Sequence, residues 1–505
     1  MILKRTLSRI AFKSAIALVA ALLCLTQVQA QEDKLTVINS YIDDLFTYNK
    51  AMGSFTILDK GNVVLDKQTG YSNRKVGLLA SRGYVSADSS SPYKVASISK
   101  TMTATMVMQL IEANKLSLNT KLNDFFPEIS NAENISIRDL LQHRSGLVNF
   151  IDEPDFLSYY AKPQTQAQMI ARLAALPSNF PPGSQYEYSN ANYLLLGYII
   201  EKVTGKSFDE VLRAQITQPL NLTHTQYCLD LKACDIHITS FYYWNNAWVA
   251  VTPHWSPTVA GAAASITSTT LDVSRFIRAL FQGELLPKEA VQMMTKEYFG
   301  IYSPEYSQLE RYGHDGILEG YRSSMLYFPK QDVAIVISIN GLHETYDDIV
   351  RNIVGLYFDE KVELPDYDRP NMTMNEGQLK AFTGTYKALD YKKVVEVFID
   401  DGALKAQMVG QPSFTFIPMT ENTFENKAFG IILTFSLSKM NRERPITLKR
   451  KVAIILRPTT DCAPRNSDSS QVSSVSTFLD IFLRGRDILS PYYINMSIGY
   501  AFTSN

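Results

Sequence analysis

The chain has 505 residues, 46% apolar and 20% charged, enough to bury substantial cores and to exclude a broadly disordered protein. Its 49 basic and 50 acidic side chains leave a formal charge of -1, so no global field attracts nucleic acid, and none is expected as a partner.

The first thirty residues differ from the rest. Lys4, Arg5, Arg9 and Lys13 precede an apolar run from Ala15 to Leu25, and Val28-Gln29-Ala30 offers small residues for cleavage. This order is that of a secretory signal peptide cut near Ala30, which makes the mature protein exported, periplasmic or extracellular. The run falls short of the roughly 20 apolar residues of a spanning helix, so no stable membrane span is expected. Leu23 ahead of Cys24 is not the small residue that lipoprotein processing wants, which favours plain cleavage. Cys228, Cys234 and Cys462 then remain, too few for a disulfide framework. Cys228 and Cys234 either pair or stand as two half-buried thiols, and the sequence leaves both open.

In the mature chain, Ser54 to Leu58, the turn Asp59-Lys60-Gly61-Asn62, and Val63 to Leu65 predict a hairpin. Ser97 to Asn114 lacks Gly and Pro and predicts a buried helix. Asn192 to Val203 predicts another, stopped by Gly205 in a left-handed cap. Strands follow at Met325 to Phe328 and Val333 to Ile337, then a helix from Tyr346 to Phe358. Strands at both ends of a helical middle predict an α/β sandwich, with one antiparallel sheet closed by distant parts of the chain. After the Pro- and Asp-rich stretch Leu364 to Pro370, short alternating strands such as Val394 to Ile399 and Leu404 to Val409, joined through Asp400-Asp401-Gly402, predict a second, all-β domain. The expected division is 1–30 signal peptide, 31–365 α/β domain, 375–457 small β domain and 458–505 a low-complexity or poorly defined tail.

Three short stretches carry chemistry. In Ser97-Ile98-Ser99-Lys100 the spacing puts a hydroxyl and an amine on one helical face, beside the unpaired N–H groups of a helix start. Tyr188-Ser189-Asn190 puts a phenol and an amide on a loop pinned by the buried helix that follows. His314-Asp315-Gly316 stands before the strand pair, where a glycine admits substrate to a strand backbone. Alone, Ser97 with Lys100 reads as a helix cap and a solvated lysine. Together the three stretches describe a nucleophile and its proton-transfer partners, which only a folded domain can unite.

This set resembles the serine β-lactamase and penicillin-binding protein superfamily, whose Ser-x-x-Lys, Tyr-x-Asn and Lys-Thr-Gly-type motifs occur in the same order. The likeness extends over about residues 35 to 360 through Tyr93 to Lys100, Leu140 to Leu147 and Pro182-Gly183. It is strongest to class C β-lactamases, D-alanyl-D-alanine carboxypeptidases and related esterases. The resemblance implies a β-lactamase-like antiparallel sheet flanked by helices, with an all-helical subdomain. It implies that Ser97 is acylated, that Lys100 and Tyr188 share proton transfer, and that Asn190 binds the substrate amide. It puts His314 in the place of the third-motif lysine and the oxyanion between the backbone N–H groups of Ser97 and Ile317, with Gly316 beside them. Histidine in that position favours the esterase- and peptidase-like branches over a dedicated β-lactamase. The segment from about 375 to 457 resembles, more weakly, the lipocalin-like domains appended to some members.

Two physical expectations follow. A lysine with an ordinary pKa of about 10.4 needs burial or nearby positive charge to act as a base, which Tyr188 and His314 would provide. His314 titrating near its ordinary value of about 6.5 would change the rate between pH 5.5 and 7.5. His143, in an apolar setting, reads as a structural histidine. Thr204-Gly205-Lys206-Ser207 lacks the first glycine of a phosphate loop, since position 200 is Ile200, and no Gly-x-Ser-x-Gly elbow or metal-binding pattern occurs. Neither cofactor nor metal is therefore expected. The basic run Lys439 to Lys451 reads as a solvated strand face. The expected function is an exported serine hydrolase acting through an acyl-enzyme on D-alanyl peptides, β-lactams or small esters and amides. The alternative is a non-hydrolytic penicillin-binding or cell-wall peptide-sensing protein. The partner is a small-molecule or peptide substrate, and the sequence is silent on oligomeric state.

Overall fold

A computed structural model describes residues 31–74, 84–227, 229, 238–244, 247–367, 372–387, 394–408, 413–426, 431–436 and 451–455. The leader, Cys228, Cys234, Cys462, most of the basic run and the tail after 457 lie outside these residues.

The first sheet is built from both ends of the α/β region. β1 (Ala51–Asp59) and β2 (Asn62–Thr69) form the predicted hairpin, and β3 (Tyr312–Leu318), β4 (Tyr321–Phe328) and β5 (Val333–Leu342) form the second group. The order is β3-β4-β5-β1-β2. β1 pairs antiparallel with β5 from Ala51 opposite Leu342 to Asp59 opposite Val333. All of β1 except Asp59 is buried, so both of its faces must be covered.

Phe55 and Ile57 face one layer with α1 (residues 31–47) and α5 (Tyr346–Tyr357), where Ile38, Leu45, Ile349 and Ile353 pack with them. Ser54 and Thr56 face the other layer, and each lies 2.7 Å from the Thr270 hydroxyl of α4 (Thr270–Gln282). Each fully buried Ile or Phe of these layers contributes roughly 1.5–3 kcal/mol through removal from water.

The second layer continues into the helical middle of the chain. α2 (Ser99–Glu112) is buried from Ser99 to Met108, and α3 (Asn190–Thr204) ends at Gly205 with φ 65°, the left-handed cap expected there. Ser207 caps the next helix through Glu210, so the Thr-Gly-Lys-Ser stretch serves as a helix stop and start. α3 approaches its neighbour closely: a Cβ on Gly197 would stand 2.3 Å from Ala262 Cβ.

The sheet departs from the all-antiparallel expectation at one end. Residues Phe241–Trp244 run parallel to β5 at Gly341 and Leu342 and form a hairpin with Ala247–Ala250. The Met52, Phe241 and Trp248 side chains form a small core there, which this added hairpin covers. In the C-terminal part, seven strands from Gly384–Lys387 to Lys451–Ile455 pair in sequence order as a meander around Phe382, Leu404, Phe416, Phe424 and Phe435. Its hairpin turn carries Asp401 at φ 50° and Gly402 at φ 70°, the positive angles such a turn requires. Among the described residues its first and last strands do not pair, so the sheet is an open meander there. Among the described residues no helix is long and apolar enough to cross a membrane.

Candidate active site

The nucleophile turn is fixed from both sides. Tyr93–Lys94 pairs with Ile266–Ser268, and a 3-10 turn over Ala96–Ile98 leads into α2. Ala96 takes φ 51°, a left-handed conformation that is costly for a residue with a Cβ and persists only where the surroundings impose it. Ser97 thus stands on a constrained turn, and Lys100 lies in the first turn of the helix beyond it.

Lys100 is entirely buried. Its Nζ donates to Ser97 Oγ at 3.0 Å, Asn190 Oδ1 at 2.8 Å and the Ala263 carbonyl at 3.0 Å. An ammonium has three protons, and these three acceptors, from separate parts of the chain, satisfy them. The faces of Tyr188 at 4.9 Å and Tyr193 at 5.8 Å add cation–π attraction. A buried cation without such partners would be prohibitively expensive.

Tyr188 Oη donates to Ser97 Oγ at 3.0 Å, so the hydroxyl oxygen has two proton-transfer groups at equal distance. The Tyr188 ring stacks on His143 with centroids 4.3 Å apart and planes 28° apart. His143 Nδ1 faces the Ser189 N–H at 3.2 Å and Asn192 Nδ2 at 3.1 Å. Two donors on Nδ1 make it an acceptor and assign the ring proton to Nε2. Burial, then Lys100 and His314, hold His143 well below its ordinary pKa. The expectation of a structural histidine therefore acquires a location: it is packed against the phenol.

β3 brings up the third stretch. A Cβ on Gly316 would lie 2.3 Å from the Val95 carbonyl oxygen and 3.1 Å from Ala96 Cβ, so only a glycine lets this strand meet the nucleophile turn. The Ser323 hydroxyl of β4 donates to the same Val95 carbonyl at 2.9 Å. Ile317 is 38% exposed, an open position next to the buried Gly316.

His314 is buried, and its Nδ1 lies 2.6 Å from the Asp315 carbonyl, which assigns the proton to Nδ1. Burial first and the Lys100 charge second lower its pKa to about 3, against the pull of the Asp315 carbonyl. This corrects the expectation of a His314 titration near neutrality. Both imidazoles stay uncharged chiefly because they are buried, and the Lys100 charge adds to this.

Behind the strand, Asp315 receives hydroxyl protons from Tyr302 at 2.7 Å, from Tyr306 at 3.3 Å and from Ser324. Burial raises Asp315 to about 6, with the Asp347 charge adding and the three hydroxyls opposing.

Ser97, Lys100, Tyr188 and Asn190 are thus within hydrogen-bond reach of one another in a chain, and Gly316 packs the third stretch onto the same turn. The structure adds groups that the motifs do not announce. Asn149 Oδ1 accepts from Asn190, and the Ala263 carbonyl accepts from Lys100. The run Gly261-Ala262-Ala263-Ala264 is the available sequence signal, since small residues permit close backbone approach.

A family model described as Beta-lactamase matches residues 39–357. Penicillin-binding protein 4 of Amycolatopsis lactamdurans is 25% identical over 344 residues, 62% of this chain and 88% of that protein. The teichoic acid D-alanine hydrolase of Staphylococcus aureus strain MRSA252 is 24% identical over 314 residues, 59% of this chain and 74% of that protein. The octameric penicillin-binding protein homologue from Pyrococcus abyssi matches in structure with a TM-score of 0.59 at 21% identity, covering 80% of this chain and 96% of that one, a likeness of fold.

Proposed function

The chain belongs to the beta-lactamase family, and from that premise we propose that it is an exported serine hydrolase that forms an acyl-enzyme on Ser97. Its acyl donors are D-alanyl peptides, β-lactams or small esters and amides. The observation that carries the reading is the Ser97 hydroxyl held at 3.0 Å by both Lys100 Nζ and Tyr188 Oη. The relatives' names, a penicillin-binding protein and a teichoic acid D-alanine hydrolase, support cell-wall chemistry and hence export.

In the first half-reaction, once the Lys100–Tyr188 pair has given up one proton to solvent, Ser97 Oγ bonds to the substrate carbonyl carbon while its own proton passes to that pair. The tetrahedral oxyanion lies between the backbone N–H groups of Ser97 and Ile317. Its collapse breaks the C–O or C–N bond, and the leaving group takes up the proton through Tyr188. Water then adds to the acyl carbon, gives a proton back along the same route and releases Ser97 and the acid. Asn190 Nδ2 has two protons; one points to Asn149, and the other serves the substrate amide.

The neutral state of His314 supports a narrower preference. An uncharged imidazole whose one ring proton is committed to the Asp315 carbonyl offers a substrate carboxylate neither charge nor a hydrogen bond, where a lysine would offer both. Uncharged esters and amides are therefore favoured over carboxylate-bearing β-lactams.

The test is incubation of wild type and Ser97→Ala with p-nitrophenyl esters, a chromogenic cephalosporin and a fluorescent penicillin, with intact-mass measurement of the protein. The reading expects an acyl adduct and turnover in wild type, neither in Ser97→Ala, and faster turnover of esters than of the cephalosporin. Stable labelling without turnover of any substrate would replace it with a penicillin-binding sensor.

A further inference from the structure

Glu319 touches none of the groups around Ser97 named so far, yet its side chain is 1% exposed and gathers three stretches of chain. Lys94 Nζ donates to its two oxygens at 3.1 and 3.2 Å. His254 Nδ1 lies 2.8 Å from Oε2, and the Trp255 N–H donates to Oε1. Each stretch leads to a part of the candidate site. Lys94 precedes Ser97 by three residues on the strand that enters the nucleophile turn. Trp255 leads through the helical turn Pro257–Ala260 to Ala263, whose carbonyl holds Lys100. Glu319 itself comes two residues after Ile317, in the tight turn that joins β3 to β4.

The backbone around this carboxylate points the same way. Glu319 takes φ 53°, a left-handed angle unfavourable for any residue with a Cβ. The next residue, Gly320, is packed so closely that a Cβ there would meet Ser240 Cβ at 2.9 Å. A glutamate is thus held in a conformation suited to glycine, with its charge placed in the interior. Although burial opposes ionisation, Lys94, His254 and the Trp255 N–H together keep the carboxyl below its ordinary range.

We propose that Glu319 is a positioning residue for acyl transfer: it ties the end of β3 to the strand ahead of Ser97 and to the Ala263 wall, and so fixes the Ile317 N–H opposite the Ser97 N–H. The proposal rests on the serine-hydrolase reading and extends it to the residue that sets the width of the oxyanion site. Donor geometry toward the oxyanion governs kcat and leaves ground-state binding largely unaffected.

The experiment compares full-length wild type, Glu319→Gln and Glu319→Asp. Gln keeps the shape but loses the charge and turns an amide N–H2 toward Lys94 or the Trp255 N–H. Asp keeps the charge and shortens the tie. Active sites are counted by the acyl adduct seen in intact-mass spectra after a p-nitrophenyl ester burst. kcat and KM per counted site follow, with the affinity of a boronic acid, whose tetrahedral adduct mimics the oxyanion intermediate. In Glu319→Gln, kcat per counted site falls about 100-fold and boronate affinity falls in parallel. KM stays within about threefold. Glu319→Asp falls about tenfold on the same two readouts. Wild-type kcat per counted site and wild-type boronate affinity in both variants, with only the melting temperature lowered, would overturn the proposal in favour of a purely structural tie. If Glu319→Gln does not fold, Glu319→Asp decides on the same readouts. A wild type that shows neither burst nor adduct would instead overturn the hydrolase reading beneath it.

Discussion

Asn149 holds Asn190 through a single oxygen: its Oδ1 accepts the Asn190 backbone N–H at 3.0 Å and Asn190 Nδ2 at 3.2 Å. With its nitrogen engaged there, the Asn190 amide must turn its oxygen to Lys100. Asn149→Ala releases that orientation while leaving the four motif residues untouched. Two lost hydrogen bonds of about 1 kcal/mol each predict a 10- to 30-fold lower acylation rate. Stopped-flow acylation by a p-nitrophenyl ester measures it; a change under twofold would mean that Asn190 is oriented by other contacts.

Lys100→Met keeps an unbranched side chain only one atom shorter and removes every donor. The Asn190 Oδ1 and Ala263 carbonyl acceptors lose the ammonium, and Ser97 loses one of its two proton-transfer neighbours. Acylation is expected to slow by about 100- to 10,000-fold, the range for a removed acid–base group. A rate within tenfold of wild type would assign proton transfer to Tyr188 alone.

His314, lowered to about 3 by burial and Lys100, stays neutral across the working range. NMR of its ring Cε1–H should show no titration between about pH 5 and about pH 8. A midpoint near 6.5 would restore the pH switch that the sequence alone suggests.

Asp315 sets a stability trend of the opposite kind to that of most carboxylates. Its folded-state pKa is raised from 3.8 to about 6, so its contribution is fully present below the unfolded value and is lost as pH rises through about 6. A shift of about two units corresponds to stability on the order of 3 kcal/mol, reduced in practice by relaxation of the hydroxyl network. Asp315→Asn removes this dependence. Urea melts at a series of pH values should give a wild-type curve that falls more steeply than the variant's between about pH 4 and about pH 6.5. Parallel curves would contradict a raised Asp315.

Gly316→Ala introduces a Cβ 2.3 Å from the Val95 carbonyl oxygen and 2.4 Å from Ser323 Oγ. The Ser323 hydroxyl can rotate, but the Val95 carbonyl is backbone and cannot move without disturbing the nucleophile turn. A loss of about 1–3 kcal/mol in stability is expected, with little residual turnover, and thermal melting together with ester hydrolysis reads both. Wild-type melting with wild-type turnover would show that β3 can shift freely.

The residues legible in the sequence are those whose role is local. The Ser97-to-Lys100 spacing, the Gly205 cap and the Asp401-Gly402 turn are readable because each depends on neighbours within a few positions. Asn149, Ala263 and Glu319 were not, because their importance is conferred by partners far away in the chain, as when Glu319 meets Lys94 225 positions earlier. The protonation of His314 escaped for a related reason: type and motif position say nothing about burial beside the Lys100 cation. The parallel pairing of Phe241–Trp244 was likewise unmarked, since a short aromatic strand carries no sign of which edge it will join.

The placement of β1 between β2 and β5 has a consequence for how the protein comes into being. β1 has no partner on one side until Val333–Leu342 has been made, so the central seam of the sheet closes late. A nascent or truncated chain ending before that strand would contain Ser97, Lys100, Tyr188 and Asn190 yet lack the rigid floor on which they are mounted. Chemistry should therefore switch on abruptly with the arrival of the closing strands, and slow maturation is the expected temperament of a fold whose middle is stitched from its two extremities.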